Sequence, residues 1–168
     1  GEPGVNQAAQ FVSYAQHGED VILWRALGDR VGGFYVDVGA FDPTDDSVTR
    51  ALYERGWRGI NIEPQPDRLA AFERERPEDT NLSLAIGDHD GTAMLTRPPV
   101  AGWATTLDPA LTGFDPADRT IEVSIRRLDT LLPELGVERI DVLKIDVEGA
   151  EPAVVRGFVE SPIRPLVC

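Results

Sequence analysis

The sequence predicts an α/β fold, with a mainly parallel sheet and helices on both of its faces. Short apolar runs alternate with amphipathic stretches along the 168 residues, which is typical of parallel strands joined by helices. The run at 34–38 leads into a glycine turn and then a helical pattern, the opening unit of a nucleotide-type sheet. The apolar-rich run at 140–146 is typical of a central parallel strand.

The first elements begin and end at recognisable residues. Residues 17–28 carry apolar side chains at helical spacing, and Gly28 suits the end of that helix. A strand is predicted at 33–38. It is followed by a helix at 47–55, with Ser47 as its N-cap and a glycine just after its end.

The next part of the chain repeats the pattern of strand and helix. A strand at 58–63 precedes a helix at 66–75, whose first-turn proline is tolerated because that position needs no amide hydrogen. A third strand is predicted at 81–86, and a glycine-bounded polar turn at 87–91 ends this part.

The second half begins with a stretch that lacks regular periodicity. Prolines and glycines interrupt residues 92–120, and we assign a loop-rich insertion to 96–120. Residues 120–126 then alternate as a strand does. The remaining elements are a helix at 128–135, the strand at 140–146, a helix at 150–158 and the start of a fifth parallel strand at 163–168.

The composition indicates a single acidic domain. Residues 11–168 are predicted to form it, after a flexible tail at 1–10. The net charge of −13 and the lack of a basic stripe argue against nucleic acid or a membrane surface as a partner. The sequence has one cysteine, Cys168, and neither a basic leader nor an apolar run of membrane-spanning length, so we expect a cytoplasmic protein.

Acidic residues converge at one edge of the predicted sheet. Asp37 and Glu63 lie at the ends of the first two strands, and Asp146 and Glu148 follow the strand at 140–146. Ligands of open parallel sheets bind beyond the carboxyl ends of the strands. This edge is therefore the predicted ligand crevice.

The glycine pattern indicates which nucleotide the crevice would bind. A dinucleotide pyrophosphate needs G-x-G-x-x-G, but only Gly39 is present, since Phe41 and Thr44 occupy the other two positions. Asp42 would also repel a phosphate. S-adenosylmethionine has an adenosine, no phosphate and a positive sulfonium, so an acidic crevice suits it better. Glu63, 24 positions after Gly39, is suitably spaced to hold ribose hydroxyls. These features predict a Rossmann-like class I methyltransferase core.

Four runs of sequence resemble the FkbM-type methyltransferases. They are YAQHGED at 14–20, YVDVGAFDP at 35–43, LYERGWRGINIEPQP at 52–66 and DVLKIDVEGAEPAVVRG at 141–157. The resemblance extends over nearly all of residues 11–168. Members of this family use S-adenosylmethionine to methylate hydroxyls of polyketides, sugars and related small molecules. It therefore implies an O-methyltransferase with a hydroxyl-bearing small-molecule acceptor.

The resemblance also implies roles for individual residues. Gln16, Glu19 and Asp20 would close the site from the N-terminal helix. The resemblance places Asp146 and Glu148 beside the methyl group and the acceptor, and the chemistry of their own side chains adds Lys144 and His17 as candidate catalytic residues. The candidate cofactor-binding residues are Asp37, Gly39, Ala40, Phe41, Glu63, Pro64, Ile86, Asp88 and Asp146.

Several of these residues have more than one interpretation. His17 could serve as a base or be an ordinary helix-start residue. Lys144 could pair with a strand-end acid or lower the pKa of an acceptor hydroxyl. Asp146, Glu148 and Glu151 could bind a divalent metal ion, or their negative charges could complement the dipole at the N-terminus of the next helix. The metal is not the favoured interpretation. The polar turn at 88–90 is likewise better explained as a turn than as a metal site.

One departure from the family pattern bears on activity. Class I methyltransferases usually have seven strands, whereas this sequence stops within the fifth, so a C-terminal truncation is expected. The edge of that fifth strand could pair with another chain in a homo-oligomer. The alternative function is a non-catalytic cofactor-binding or interaction module. A nicotinamide oxidoreductase is disfavoured by the two missing glycines.

Overall fold

A computed structural model describes residues 10–96 and 120–168 as an α/β structure with two sheets. The helices are α1 (Glu19–Leu27), α2 (Arg50–Glu54), α3 (Pro66–Glu75), α4 (Leu128–Glu134) and α5 (Glu151–Arg156). The strands are β1 (Phe34–Val38), β2 (Arg58–Ile62), β3 (Thr80–Leu82), β4 (Ala85–Ile86), β5 (Gly91–Thr96), β6 (Thr120–Arg126) and β7 (Val142–Ile145).

The larger sheet is parallel and has the strand order β3–β2–β1–β7. Its two central strands therefore end side by side, with Val38 opposite Ile62 and also opposite Ile145 of β7. Val167 forms a parallel bridge to Val142, which is where the sequence predicts a fifth strand to begin. The predicted mainly parallel sheet is confirmed.

Helices cover both faces of this sheet because successive strand residues point to opposite sides. On one face Tyr35 packs with Leu52 and Trp57, in a cluster that includes residues of α1 and α2. On the other face Val36 and Val38 join the main core, to which α4 and α5 contribute apolar side chains. β1 is therefore buried on both sides, as a central parallel strand should be.

The predicted strand at 81–86 is wrong as a single element. Its first part is β3, at the edge of the parallel sheet, and its last part is β4, which pairs with β6 in the second sheet. The chain leaves one sheet and enters the other at residues 83–84. Leu82, Leu84 and Ile86 alternate without interruption, so the sequence pattern carries no sign of the break.

The predicted irregular stretch also begins too early. β5 pairs antiparallel with β6 from Gly91 opposite Ile125 to Thr96 opposite Thr120. Leu95 is buried against Val123, so the stretch has an inward face. The prolines and glycines beyond 96 obscured this short alternation. The rest of the predicted insertion at 96–120, from 97 to 119, and the predicted tail at 1–9 lie outside the described residues.

α2 is shorter than the predicted helix at 47–55. Ser47 Oγ accepts a hydrogen bond from the Arg50 amide at 3.2 Å, so it supports the turn before the helix rather than capping it. The residue before Ser47, Asp46, has φ 56°, which is incompatible with a right-handed helix. The helix begins only after Thr49.

Across residues 10–96 and 120–168, no helix is long and apolar enough to cross a membrane.

Candidate functional site

A cavity of about 310 Å³ opens at the carboxyl ends of β1, β2 and β7. The three strands end at adjacent positions, and the residue after each end, respectively Gly39, Glu63 and Asp146, lines the cavity. The second sheet contributes an apolar wall through Ala85, Ile86 and Leu95. The predicted crevice beyond the strand ends is therefore a concave pocket that opens to solvent and has both polar and apolar lining residues.

Gly39 lets β1 and β7 approach each other at the cavity. Its φ of 75° lies in the left-handed region that favours glycine, and a Cβ atom there would lie 1.9 Å from the Asp146 carbonyl oxygen. The amides of Gly39 and Ala40 both donate to the Ile62 carbonyl at 3.0 Å, which fixes the turn against β2. A side chain at this position would force the strand ends apart.

Glu63 is a buried carboxylate that closes the turn from the end of β2. Its side chain accepts the Phe41 amide at 3.1 Å on Oε2 and the Gln65 amide at 2.9 Å on Oε1. Burial raises the pKa of Glu63 above its ordinary value, and these two backbone donors oppose that shift. Each oxygen keeps a second lone pair, so Glu63 can still accept hydrogen bonds from a ligand.

Lys144 joins β7 to the turn after β1. Its ammonium donates to the Gly39 carbonyl at 2.6 Å and lies 3.1 Å from Asp37 Oδ1, an ion pair without the angle of a hydrogen bond. Asp146 Oδ2 lies 4.0 Å away. Asp37 is buried and accepts from Thr49 Oγ1 at 2.9 Å on its other oxygen. The Lys144 ammonium is thus held in place by groups of the protein itself.

Arg76 supports the loop that leads from the turn to α2, and sequence reasoning missed it. Its guanidinium is fully buried and donates to the Pro43 carbonyl, to Ser47 Oγ at 2.6 Å and to Thr49 Oγ1 at 2.7 Å. A longer bond of 3.4 Å reaches Asn61 Oδ1. An arginine at a helix end usually lies in solvent, so no sequence signal identifies this role.

Backbone strain is concentrated at the cavity. Within the described residues, the non-glycine residues with positive φ are Phe41 at 62°, Asp46 at 56° and Glu148 at 49°. All three line the cavity. Non-glycine residues in this region cost free energy and are most often retained at functional sites. Their concentration around the cavity supports its choice as the candidate functional site.

The structure brings most of the predicted site residues together. Of the predicted catalytic and cofactor-binding residues, those that line the cavity are Gly39, Ala40, Phe41, Glu63, Pro64, Ile86, Lys144, Asp146 and Glu148. Gln16 and Glu19 line it from the N-terminal side. The sequence prediction did not include Val38, Asp46, Val48, Ile62, Leu84, Ala85, Leu95 and Val147, which also contribute. Of these, Ala85 and Leu95 belong to the second sheet, whose pairing the sequence did not predict.

Four predicted residues lie away from the cavity surface. Asp37 lies inside β1, beneath the turn, and His17 is exposed. Asp88 pairs with Arg156 at 2.9 Å, and Asp20 is buried, where it accepts the Ser13 hydroxyl at 2.6 Å. The roles proposed for these four residues stay predictions.

The described residues contain no group of three histidine, cysteine, aspartate or glutamate side chains that could hold a metal ion.

Comparison with known proteins gives the family. The profile described as "Methyltransferase FkbM domain" matches residues 37–167, which extend from β1 to the bridge at Val167 and include the strand ends that form the cavity. The chain belongs to the FkbM methyltransferase family. The resemblance to this family is confirmed, and the run at 14–20 lies outside the matched residues.

Two curated proteins share short segments with this FkbM-family chain. The AMB antimetabolite synthetase AmbE of Pseudomonas aeruginosa is 51% identical over 39 residues, which are 23% of this chain and 2% of that protein. Methyltransferase sdnD of Sordaria araneosa is 43% identical over 49 residues, which are 24% of this chain and 19% of that protein. The chain thus matches only a minor part of each relative's length. No solved structure gives a significant match.

Proposed function

We propose that this chain is the core of an S-adenosylmethionine-dependent O-methyltransferase acting on a hydroxyl of a small molecule. The observation that carries the proposal is the meeting of the Gly39 turn and the buried Glu63 carboxylate at the ends of neighbouring strands, inside one cavity. This is where open parallel sheets bind nucleosides. Membership of the FkbM methyltransferase family supports the same reaction.

The residues at the cavity fit S-adenosylmethionine better than a phosphorylated nucleotide. Glu63 has acceptor capacity left for two ribose hydroxyls. Leu84, Ala85 and Ile86 offer an apolar wall for an adenine ring. A pyrophosphate would instead meet the Phe41 side chain and several carboxylates.

When bound, S-adenosylmethionine supplies a methyl group on a sulfonium that an acceptor oxygen can attack directly. The protein's part is to hold the two reactants near contact, which removes much of the entropic barrier. Asp146 and Glu148 line the cavity and are the groups we assign to accept the hydroxyl proton. Lys144 has a positioning role, because its ammonium donates to the Gly39 carbonyl and pairs with Asp37.

A transfer assay tests this function. The chain is incubated with methyl-labelled S-adenosylmethionine and a panel of hydroxyl-bearing small molecules, and label in the product is measured. We expect transfer that falls at least tenfold in Asp146→Asn and is unchanged in Asp29→Asn, an exposed aspartate that does not line the cavity. Binding of the cofactor without transfer to any hydroxyl would instead support a non-catalytic module.

A further inference from the structure

The lining of the cavity carries a net negative charge. Among the described residues, five carboxylates and one ammonium line it, a formal balance of −4. Within the described ranges no arginine or histidine contributes to the lining. The carboxylates belong to Glu19, Asp46, Glu63, Asp146 and Glu148, and the ammonium to Lys144.

Lys144, which supplies the lining ammonium within the described part of the chain, is not available to an anionic ligand. Lys144 is 17% exposed, and its ammonium is already shared between the Gly39 carbonyl at 2.6 Å and Asp37 at 3.1 Å. A phosphate or carboxylate entering the cavity would have to compete with both. Releasing Lys144 would leave Asp37 buried without its counter-ion, which is strongly unfavourable.

The carboxylates at the mouth face solvent. Asp46 and Glu148 are exposed, and the Asp146 side chain is 64% exposed. Ionised groups of one sign around a concave opening raise the local concentration of oppositely charged ligands and repel those of the same sign. S-adenosylmethionine carries one net positive charge, so the lining stays negative by three charges when it is bound.

We infer that the acceptor is a hydroxyl compound without phosphate or carboxylate groups, and that a positive charge on it, such as an amine, strengthens its binding. The inference rests on the proposed function and adds the charge class of the acceptor. It concerns the affinity for the acceptor, which depends on the summed charge of the lining, and it is separate from the proton-accepting role assigned to Asp146 and Glu148. Charges exposed to solvent are screened over about 8 Å at physiological ionic strength, so the preference must weaken with salt.

Ligand-observed NMR titrations measure this preference directly. The protein is saturated with S-adenosylhomocysteine and titrated with glucosamine, glucose and the phosphate ester of glucose, at low salt and at high salt. We expect glucosamine to bind best and the phosphate ester worst, with a ratio of at least about tenfold at low salt that shrinks to about threefold or less at high salt.

A matched pair of variants separates the cavity from the charge of the whole chain. Asp46→Asn removes a lining carboxylate, and asparagine tolerates the left-handed backbone at this position. Asp45→Asn makes the same change one residue earlier, at an exposed side chain that does not line the cavity. We expect the ratio to fall about twofold or more in the first variant and to stay constant in the second.

The outcomes distinguish this inference from the proposed function. Equal binding of the three sugars, binding of none, or tightest binding of the phosphate ester to the S-adenosylhomocysteine complex would overturn the charge class alone. An equal change in both variants would overturn its assignment to the cavity. If S-adenosylhomocysteine itself does not bind the folded chain, the proposed function fails and the inference falls with it.

Discussion

Gly39 and Asp146 touch through their backbones at the point where β1 and β7 end. A Cβ atom on residue 39 would lie 1.9 Å from the Asp146 carbonyl oxygen, much closer than any stable contact. Both residues line the cavity. Lys144 donates a hydrogen bond to the Gly39 carbonyl and lies 4.0 Å from the Asp146 carboxylate. The shape of the cavity therefore depends on how closely these two strand ends meet.

Gly39→Ala should be far more damaging than its backbone conformation alone explains. We expect it to lower the free energy of unfolding by at least about 3 kcal/mol, because the new side chain adds a clash to the cost of a positive φ. Gly56→Ala is the control, since Gly56 has φ 85° but nothing within 4 Å of its added Cβ. It should cost only about 1–2 kcal/mol. Urea denaturation of both variants checks this, and equal losses would show that the contact with Asp146 is unimportant.

Arg76 should be essential for the loop that lines the cavity. Arg76→Met removes a fully buried guanidinium that binds Pro43, Ser47 and Thr49, and we expect a loss of about 3 kcal/mol in unfolding free energy. Arg74→Met, on the same helix with a side chain 70% exposed, should change stability by less than about 0.5 kcal/mol.

The same pair of variants reports on the site. Asp46 and Val48 lie in the loop that Arg76 supports and line the cavity. Arg76→Met should therefore weaken S-adenosylmethionine binding at a temperature where the variant is still folded. Full affinity in a folded Arg76→Met protein would contradict a role for Arg76 in positioning this loop.

Lys144 and Asp37 should be energetically coupled. Lys144→Met leaves a buried carboxylate without its cation and should cost about 3 kcal/mol, while Lys144→Met combined with Asp37→Asn should cost about 2 kcal/mol less than the sum of the single changes. The exposed pair Arg58 and Glu78 is the comparison, and we expect no measurable coupling there. Additive costs at Lys144 and Asp37, measured by denaturation, would rule out the buried ion pair.

Glu63 should make cofactor affinity depend on pH. Burial raises the pKa of Glu63 above 4.5 in the folded protein, so the carboxyl stabilises the fold below that pH and this contribution is lost as the pH rises through the raised pKa. Binding has the opposite sign, because ribose hydroxyls need the ionised acceptor. Affinity for S-adenosylmethionine should therefore fall up to about tenfold per pH unit as the pH drops below the raised pKa. Calorimetry at several pH values measures this, and a wild-type dependence identical to that of Glu63→Gln would exclude Glu63 as its source.

The sequence predicted well those features that depend on local pattern. The helix predicted at 66–75 matches α3, whose first residue is Pro66, and β1 and β2 differ from prediction by a single residue at one end. Gly39 and Glu63 were identified because a glycine after one strand and an acid after the next are local signals of a nucleoside site.

Features that depend on long-range pairing were not predictable from the pattern. Residues 80–86 enter two different sheets, and only the pairing of β4 with β6 reveals this. Arg76 looks like a solvated residue at a helix end, and its burial depends on a loop some thirty positions earlier in the chain. Asp46 was missed because its place at the cavity follows from a positive φ that an aspartate rarely adopts.

Calorimetric titration with S-adenosylmethionine tests the central claim most directly. We predict micromolar binding to the wild-type chain, at least tenfold weaker binding to Glu63→Ala, and unchanged binding to Glu78→Ala, an exposed glutamate away from the cavity. Circular dichroism confirms that each variant is folded, since Glu63→Ala leaves two backbone amides without their acceptor. Equal affinity of the folded Glu63→Ala and wild-type proteins, or no binding by the folded wild-type chain, would contradict a cofactor site at the ends of β1 and β2.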